Sequence, residues 1–211
     1  MIFFLSNEYH ENFGKQWNRF NKLQLDSFNG SNESSDRILN QSELTKNFFE
    51  GKTVLEIGAG KSTLVISDAI QKNKIEFGDY VKANLRKNNP FELHSVETSD
   101  YWAKEVEKTI PSNLKEICTI HISKCRMNIF NSRVCTSFDN LPNICPDFIY
   151  LDGPDQYSVE GDIDGITTSH PDRMPMVSDI LRIEPFLLPG TVILVDGRTC
   201  LLYTSPSPRD S

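Results

Sequence analysis

The segment Val54-Leu55-Glu56-Ile57-Gly58-Ala59-Gly60 decides the fold class of this chain. The run from Thr53 to Ile57 is short, apolar and rich in β-branched residues, which is typical of a buried strand. Two glycines then permit a tight turn, and residues 62–70 carry apolar side chains at helical spacing. The order strand, glycine turn, helix predicts a unit in which the helix N-terminus points at the turn.

Similar units follow along the chain. Residues 91–96 alternate as a strand that ends at Glu97, and Ser99 is placed to N-cap a helix that runs to about Ile110. Further strands are predicted at residues 117–123, 148–151 and 191–195, the last two ending at Asp152 and Asp196. The polar, basic segment 71–90 is expected to be an insertion or a loose helix outside the central sheet.

These strands predict an α/β fold with a Rossmann-like, mostly parallel sheet. Residues 148–151 and 192–195 are apolar throughout rather than alternating, which indicates strands covered on both faces, here by helices. Ligands of such sheets bind beyond the carboxyl ends of the strands, where the strand order reverses. Every acidic residue noted above lies at such an end.

The two ends of the chain are expected to differ from this domain. Residues 1–50 read as an N-terminal helical cap with a polar loop, and residues 51–199 as the ligand-binding domain. Residues 200–211 resemble the in-frame translation of a DNA sequencing adapter, so we expect a non-native tail. The natural chain would then be interrupted near Thr199.

Composition limits the partners and the compartment. A net charge of −7 and a pI near 5.1 argue against binding to nucleic acid or to anionic membranes, both of which reward clustered Lys and Arg. The apolar start, Met1 to Leu5, is too short for a signal peptide or a membrane span, so a cytoplasmic location is expected. Four cysteines without C-x-x-C spacing predict buried thiols: Cys118, Cys125, Cys135 and Cys145.

The glycine turn and the acid before it suggest the kind of ligand. Gly58 and Gly60 would let a ligand approach the backbone, with Ser62 at the start of the helix whose positive end faces the turn. Glu56 would repel a diphosphate. Its carboxylate can instead accept from the amino group of S-adenosylmethionine (SAM) and complement the cationic sulfonium.

Two other kinds of glycine-rich ligand site are alternatives to a SAM site. Gly60-Lys61-Ser62-Thr63 is similar to the end of a P-loop, but that pattern requires glycine at position 55, where the chain has Leu55. A dinucleotide fingerprint would require glycine at position 63, where the chain has Thr63. Glu76 lies at the distance expected of a ribose-binding acid, yet Glu97 follows a better strand and is the preferred candidate. An NTPase and an NAD-dependent oxidoreductase therefore stay as alternatives.

In combination, these motifs resemble the class I SAM-dependent methyltransferases. The matching segments are 56–60, 95–97, 150–154 and 187–195. Residues 13–27 are similar to an N-terminal signature of methyltransferases associated with bacterial surface-glycan biosynthesis. The resemblance implies methyl transfer from SAM to a hydroxyl, less readily an amine, of a small acceptor such as a sugar.

The resemblance also implies a seven-stranded sheet whose last two strands would follow Asp196. This sequence does not contain them, so the fifth strand would form an exposed apolar edge, and we expect this chain to be poorly soluble.

Catalytic residues are harder to select, because orienting the acceptor contributes more to such a reaction than a base does. Asp152 is the first candidate base and a contact to SAM; His170 is the second. Asp152, Asp155 and Asp196 could hold a divalent cation, although Gly197 stands where related enzymes place another ligand. A non-catalytic SAM-binding scaffold is the alternative from a different functional class.

Overall fold

The computed structural model describes residues 45–170, 173 and 175–195, together with the isolated positions Gly30, Asp36 and Asn40. Most of the predicted cap at residues 1–50 therefore lies outside the described residues. So do Asp196 and the predicted tail at residues 200–211.

The described residues form eight strands in two sheets. They are Thr53–Ile57 (β1), Glu92–Glu97 (β2), Cys118–Ile122 (β3), Cys125–Phe130 (β4), Arg133–Phe138 (β5), Phe148–Leu151 (β6), Val159–Glu160 (β7) and Val192–Val195 (β8). The main sheet has the order β3-β2-β1-β6-β8, and all its pairs are parallel. This confirms the α/β class and all five predicted strands. The order reverses direction between β1 and β6, which is the switch point of the sheet.

Within residues 45–195, as far as they are described, three α-helices accompany the strands: Lys61–Asn84 (α1), Asp100–Thr109 (α2) and Asp179–Ile183 (α3). Short 3-10 turns lie at Lys46–Phe49, Ser112–Leu114 and Glu184–Phe186. The predicted cap of α2 is confirmed, since Ser99 Oγ accepts from the amide of Trp102 at 3.3 Å.

The segment 71–90 differs from the sequence prediction. The helix that starts after the glycine turn does not end near Ile70 but continues without a break to Asn84. Its second half is anchored by Val81, whose side chain is buried in the core, and by Phe77, which packs against that core. Phe77 and Val81 lie one helical turn apart, and they hold a stretch of helix whose other side chains are mostly polar or exposed. The sequence prediction gave this i, i+4 pair too little weight.

A second, three-stranded sheet was not predicted. Strands β4 and β5 form an antiparallel hairpin, and β7 pairs in parallel with β4. The hairpin closes through Asn131 and Ser132, which have φ values of 48° and 62°. A two-residue loop with both residues at positive φ matches the twist of the flanking strands, and asparagine tolerates that conformation.

Two apolar cores lie on opposite faces of the main sheet. Val54, Leu93 and Phe148 contribute to the core beneath α1, whereas Leu55 and Ile149 contribute to the core on the other face. Within the described residues, the second face is covered by β4, β5 and the short α3 rather than by long helices. On that face the short helix α3 is joined by the hairpin, which buries Cys125 and Phe138 against the sheet, and Ile180 of α3 packs in the same core.

The cysteine prediction is right for three of the four residues that the structure describes. Cys118, Cys125 and Cys135 are buried free thiols, whereas Cys145 is an exposed free thiol. Cys145 lies in the irregular segment before β6, where no neighbouring strand covers it. Among the described helices, none is long and apolar enough to cross a membrane.

Candidate functional site

The carboxyl ends of β1, β2 and β6 meet at the switch point and bring three predicted site residues to one edge of the sheet. Glu56 is the penultimate residue of β1, Glu97 ends β2, and Asp152 follows β6 directly. The amide of Asp152 donates to the carbonyl of Ile57 at 2.8 Å, so the loop after β6 is fastened to the end of β1. Glu76 instead lies within α1, which confirms that Glu97 is the acid at the end of the second strand.

The predicted role of Gly58 needs correction. We expected the missing side chain to admit a ligand, but the space is filled by the loop after β6. A Cβ on Gly58 would lie 2.8 Å from the amide nitrogen of Gly153, and Gly58 has a φ of 96°. Both facts require glycine for reasons internal to the fold. At Gly60 a Cβ would have only Ser62 Oγ near it, at 3.9 Å, so this position is the open one.

The amide groups of the glycine turn all have partners inside the protein. Gly58 N–H donates to the carbonyl of Val96 at 2.8 Å. Ala59 N–H donates to Glu97 Oε2 at 3.1 Å, and Gly60 N–H donates to Thr63 Oγ1 at 2.9 Å. A phosphate-binding loop needs such amides to point at the ligand. This turn uses them to hold the loop and the end of β2 together.

Glu56 is fully buried beside this turn. Thr63 Oγ donates to Glu56 Oε2 at 2.6 Å, whereas Glu56 Oε1 has no hydrogen-bond partner among the described residues. Burial raises the pKa of the Glu56 carboxyl from 4.5 to about 7. The hydroxyls of Ser62, Thr63 and Ser95 oppose this rise in pKa, and the charge of Asp152 adds to it.

Within the described part of the chain, the hydroxyls of Ser62 and Ser95 are also buried without a hydrogen-bond partner. Neither makes a hydrogen bond of good geometry with Glu56, although both lie close enough to affect its titration. Ser95 is paired with Glu56 in the β1–β2 register, so the two side chains share the face of the sheet that α1 covers. Three buried polar atoms with unused hydrogen-bonding capacity therefore lie around one carboxyl group, which is rare inside a folded protein.

Glu97 is held in a fixed orientation. Its Oε1 accepts from the amides of Thr98 and Ser99 at 2.8 and 2.9 Å, while Oε2 accepts from the amide of Ala59. Burial raises the pKa of the Glu97 carboxyl, and these hydrogen bonds oppose that rise. Since a carboxylate offers about four acceptor positions, Oε2 keeps capacity for a further donor.

The remaining predicted residues occupy the loops beyond β6. His170 is exposed, and Gln156 Nε2 donates to its carbonyl at 3.0 Å, which ties this loop to the one that contains Asp152. Asp155 is exposed and accepts from the amide of Tyr157 at 2.8 Å. Asp196 lies outside the described residues. Within them, no group of three or more His, Cys, Asp or Glu side chains is arranged to hold a metal ion.

Three residues at this edge were not selected from the sequence: Thr63, Ser95 and Gly153. Thr63 was noted only as a departure from a glycine pattern, and its position on the first turn of α1 could have indicated a hydrogen bond back to the turn. Gly153 directly follows Asp152 after β6, whereas Gly58 directly follows Ile57, the last residue of β1. The sequence contains no signal that these two glycines touch.

No protein-family model matches the chain, and no curated protein matches it.

Proposed function

We propose that residues 51–199 form the SAM-binding domain of a class I methyltransferase that acts on a hydroxyl of a small acceptor. The observation that carries this proposal is the glycine turn at residues 58–60, which lies beside Glu56 and Glu97. Its three backbone N–H groups already donate hydrogen bonds within the protein. The turn therefore has carboxylates to offer a ligand rather than free N–H groups. Such a site favours a cationic ligand with hydrogen-bond donors over a phosphate.

The residues present fit the donor groups of SAM. Glu56 Oε1 and the hydroxyls of Ser62 and Ser95 are buried acceptors without partners, suited to an ammonium group. Glu97 Oε2 has remaining capacity for the hydroxyls of a ribose. At Gly60 a Cβ would have Ser62 Oγ, 3.9 Å away, as its near neighbour among the described atoms.

The acceptor side of the site would depend on Asp152 and His170. SAM, when bound, would supply a methyl group on a cationic sulfur: the acceptor oxygen would bond to the methyl carbon as the C–S bond breaks and S-adenosylhomocysteine leaves. Asp152, at the end of β6, would accept the proton that the acceptor hydroxyl loses, and His170 is the second candidate for that role. Holding the hydroxyl in line, worth about 7–11 kcal/mol in favourable cases, would contribute more than the base.

A sugar acceptor is part of the proposal and depends on the resemblance of residues 13–27, which lie outside the described residues. The alternative of an NAD-dependent oxidoreductase has one point in its favour, because Glu97 also suits the ribose of a dinucleotide. The satisfied amides of the turn oppose it, as they oppose a P-loop NTPase.

Calorimetric titration of the chain with SAM, NAD and ATP separates these functions. We expect binding of SAM and of S-adenosylhomocysteine, and no measurable heat with ATP. Binding of NAD or ATP without SAM would overturn the proposal. Binding of SAM together with failure to methylate any tested hydroxyl or amine acceptor would favour the non-catalytic scaffold.

A further inference from the structure

A chain of hydrogen bonds crosses the junction between β2 and β3, away from the candidate site. Glu92 Oε2 lies 3.0 Å from His94 Nε2, and His94 Nδ1 lies 3.0 Å from His121 Nε2. The ring centroids are 5.3 Å apart and the ring planes differ by 23°. Asn89 Nδ2 donates to both oxygens of Glu92, at 3.0 and 3.2 Å, and so completes the chain at its outer end.

These hydrogen bonds lie between β2 and β3, where they can help to hold the two strands together. β3 is an edge strand of the main sheet, and its hydrogen-bonded neighbour there among the described strands is β2. The contact between His94 and His121 is thus a side-chain connection across the junction of β3 with β2. Directly after β3, the amide of Ser123 donates to the carbonyl of Glu97 at 2.9 Å, which links this strand to the candidate site.

The geometry limits how many protons the two rings can carry. A hydrogen bond between His94 Nδ1 and His121 Nε2 requires one nitrogen to donate and the other to accept. One positive charge is tolerated, because His94 can donate from both nitrogens, to Glu92 and to His121. A second proton would place N–H groups on both facing nitrogens and two positive rings in contact, which breaks the bond.

The charged groups nearest the pair lie at its Glu92 end. Glu92 is the acid that contacts it, and Lys87 lies close enough to Glu92 for the two charges to interact. On the other side of β2, strand β1 places Thr53 beside Glu92 and Leu55 beside His94, which adds no charge. Burial and the neighbouring His94 both lower the pKa of His121.

We propose that Glu92, His94 and His121 form a pH-sensitive latch, which fastens the edge strand β3 to β2 at neutral pH and releases it when both imidazoles are protonated.

Amide hydrogen exchange of the whole chain tests the latch. When the pH is lowered from about 7.5 to about 5, the protection factors of the β3 amides should fall at least about tenfold more than those of the β6 amides. A tenfold change corresponds to a shift of one unit in the pKa of one group between the closed and the open strand. In His121→Gln, the amide group takes the place of the ring nitrogen but cannot become charged, so this difference should disappear. His170→Gln, which removes an exposed histidine elsewhere, should keep it.

Equal pH dependence of β3 and β6 in the unmodified chain would overturn the proposal, as would a His121→Gln variant that keeps the difference. If that variant does not fold, nitrogen NMR titration of the unmodified chain decides. At neutral pH one of the two facing nitrogens, His94 Nδ1 and His121 Nε2, should carry a proton and the other should not, and both should carry one at the pH where β3 loses its protection. Loss of that protection while one facing nitrogen still lacks a proton would overturn the latch.

Discussion

Gly58 and Gly153 pack backbone against backbone, so that a Cβ on Gly153 would lie 2.8 Å from the Cα of Gly58. This contact joins the turn after β1 to the loop after β6 at the switch point of the sheet. It sets the position of Asp152 relative to the glycine turn, since Asp152 directly precedes Gly153.

The contact predicts different effects for the two glycines of the turn. Gly58→Ala should lower the free energy of unfolding by at least about 2 kcal/mol, because it combines a positive φ with a backbone clash. Gly60→Ala is the matched control: its extended φ of −171° and open surroundings predict a change below about 1 kcal/mol. Urea unfolding measures both, and equal losses would show that the contact is not what requires Gly58.

Gly60→Ala should nevertheless weaken SAM binding, because its methyl group would project into the space left for a ligand. We expect a loss of affinity of at least about tenfold in a calorimetric titration. Unchanged affinity in a folded Gly60→Ala protein would place the ligand elsewhere.

The raised pKa of the Glu56 carboxyl predicts that the stability of the fold depends on pH. Its pKa is about 7 in the folded chain and near the ordinary 4.5 when unfolded, so the folded state binds more protons between these values. Stability should therefore fall as pH rises from about 4.5 to about 7, by ~3 kcal/mol from this group alone. Glu56→Gln keeps the shape and removes the titration. The difference in unfolding free energy between the two proteins should change with pH across this window, and a constant difference would contradict the prediction.

Substitutions at Glu97 and Asp152 should affect SAM binding and methyl transfer differently. Glu97→Ala removes the carboxylate that holds Ala59 and that would accept from the ribose, so SAM affinity should fall by at least about tenfold. Asp152→Ala should leave SAM affinity within about threefold and reduce methyl transfer by about 10²- to 10⁴-fold, the range for a lost general base. If Asp152→Ala reduced affinity as much as Glu97→Ala, Asp152 would be a binding residue and His170 the better candidate base.

Asp179 should be a structural acid rather than part of the site. It is buried, its two oxygens lie 3.2 Å from the amide of Phe138, and Arg182 Nη1 donates to it at 2.7 Å. Asp179→Ala leaves a buried amide without a partner, which should cost roughly 3 kcal/mol of unfolding free energy and leave SAM affinity unchanged in the folded fraction. Asp155→Ala, which changes an exposed turn acid, should cost less than about 1 kcal/mol.

Features that depend on residues close together in the sequence could be predicted from the sequence. The strand at 53–57, the acid before the glycine turn and the Ser99 cap each follow from the period and chemistry of a short segment. They fixed the α/β class, the five strands of the main sheet and the placement of Glu56, Glu97 and Asp152 at strand ends. The alternation in β4 and β5 and the Asn131-Ser132 turn are local information of the same kind, and together they are typical of a hairpin.

The glycine turn shows what only the tertiary structure could decide. Its sequence is compatible with a ligand-binding loop. The local sequence pattern does not show which groups accept the hydrogen bonds of its backbone amides. Those bonds are made by the carbonyl of Val96 and the carboxylate of Glu97, some 38 residues along the chain, and by Thr63 across the first turn of α1. Packing of distant strands also fills the space at Gly58 with Gly153 and leaves Glu56 buried with one oxygen unpaired. The sequence by itself determined which residues reach this edge of the sheet; their contacts there depend on the register of parallel strands, which no short segment encodes.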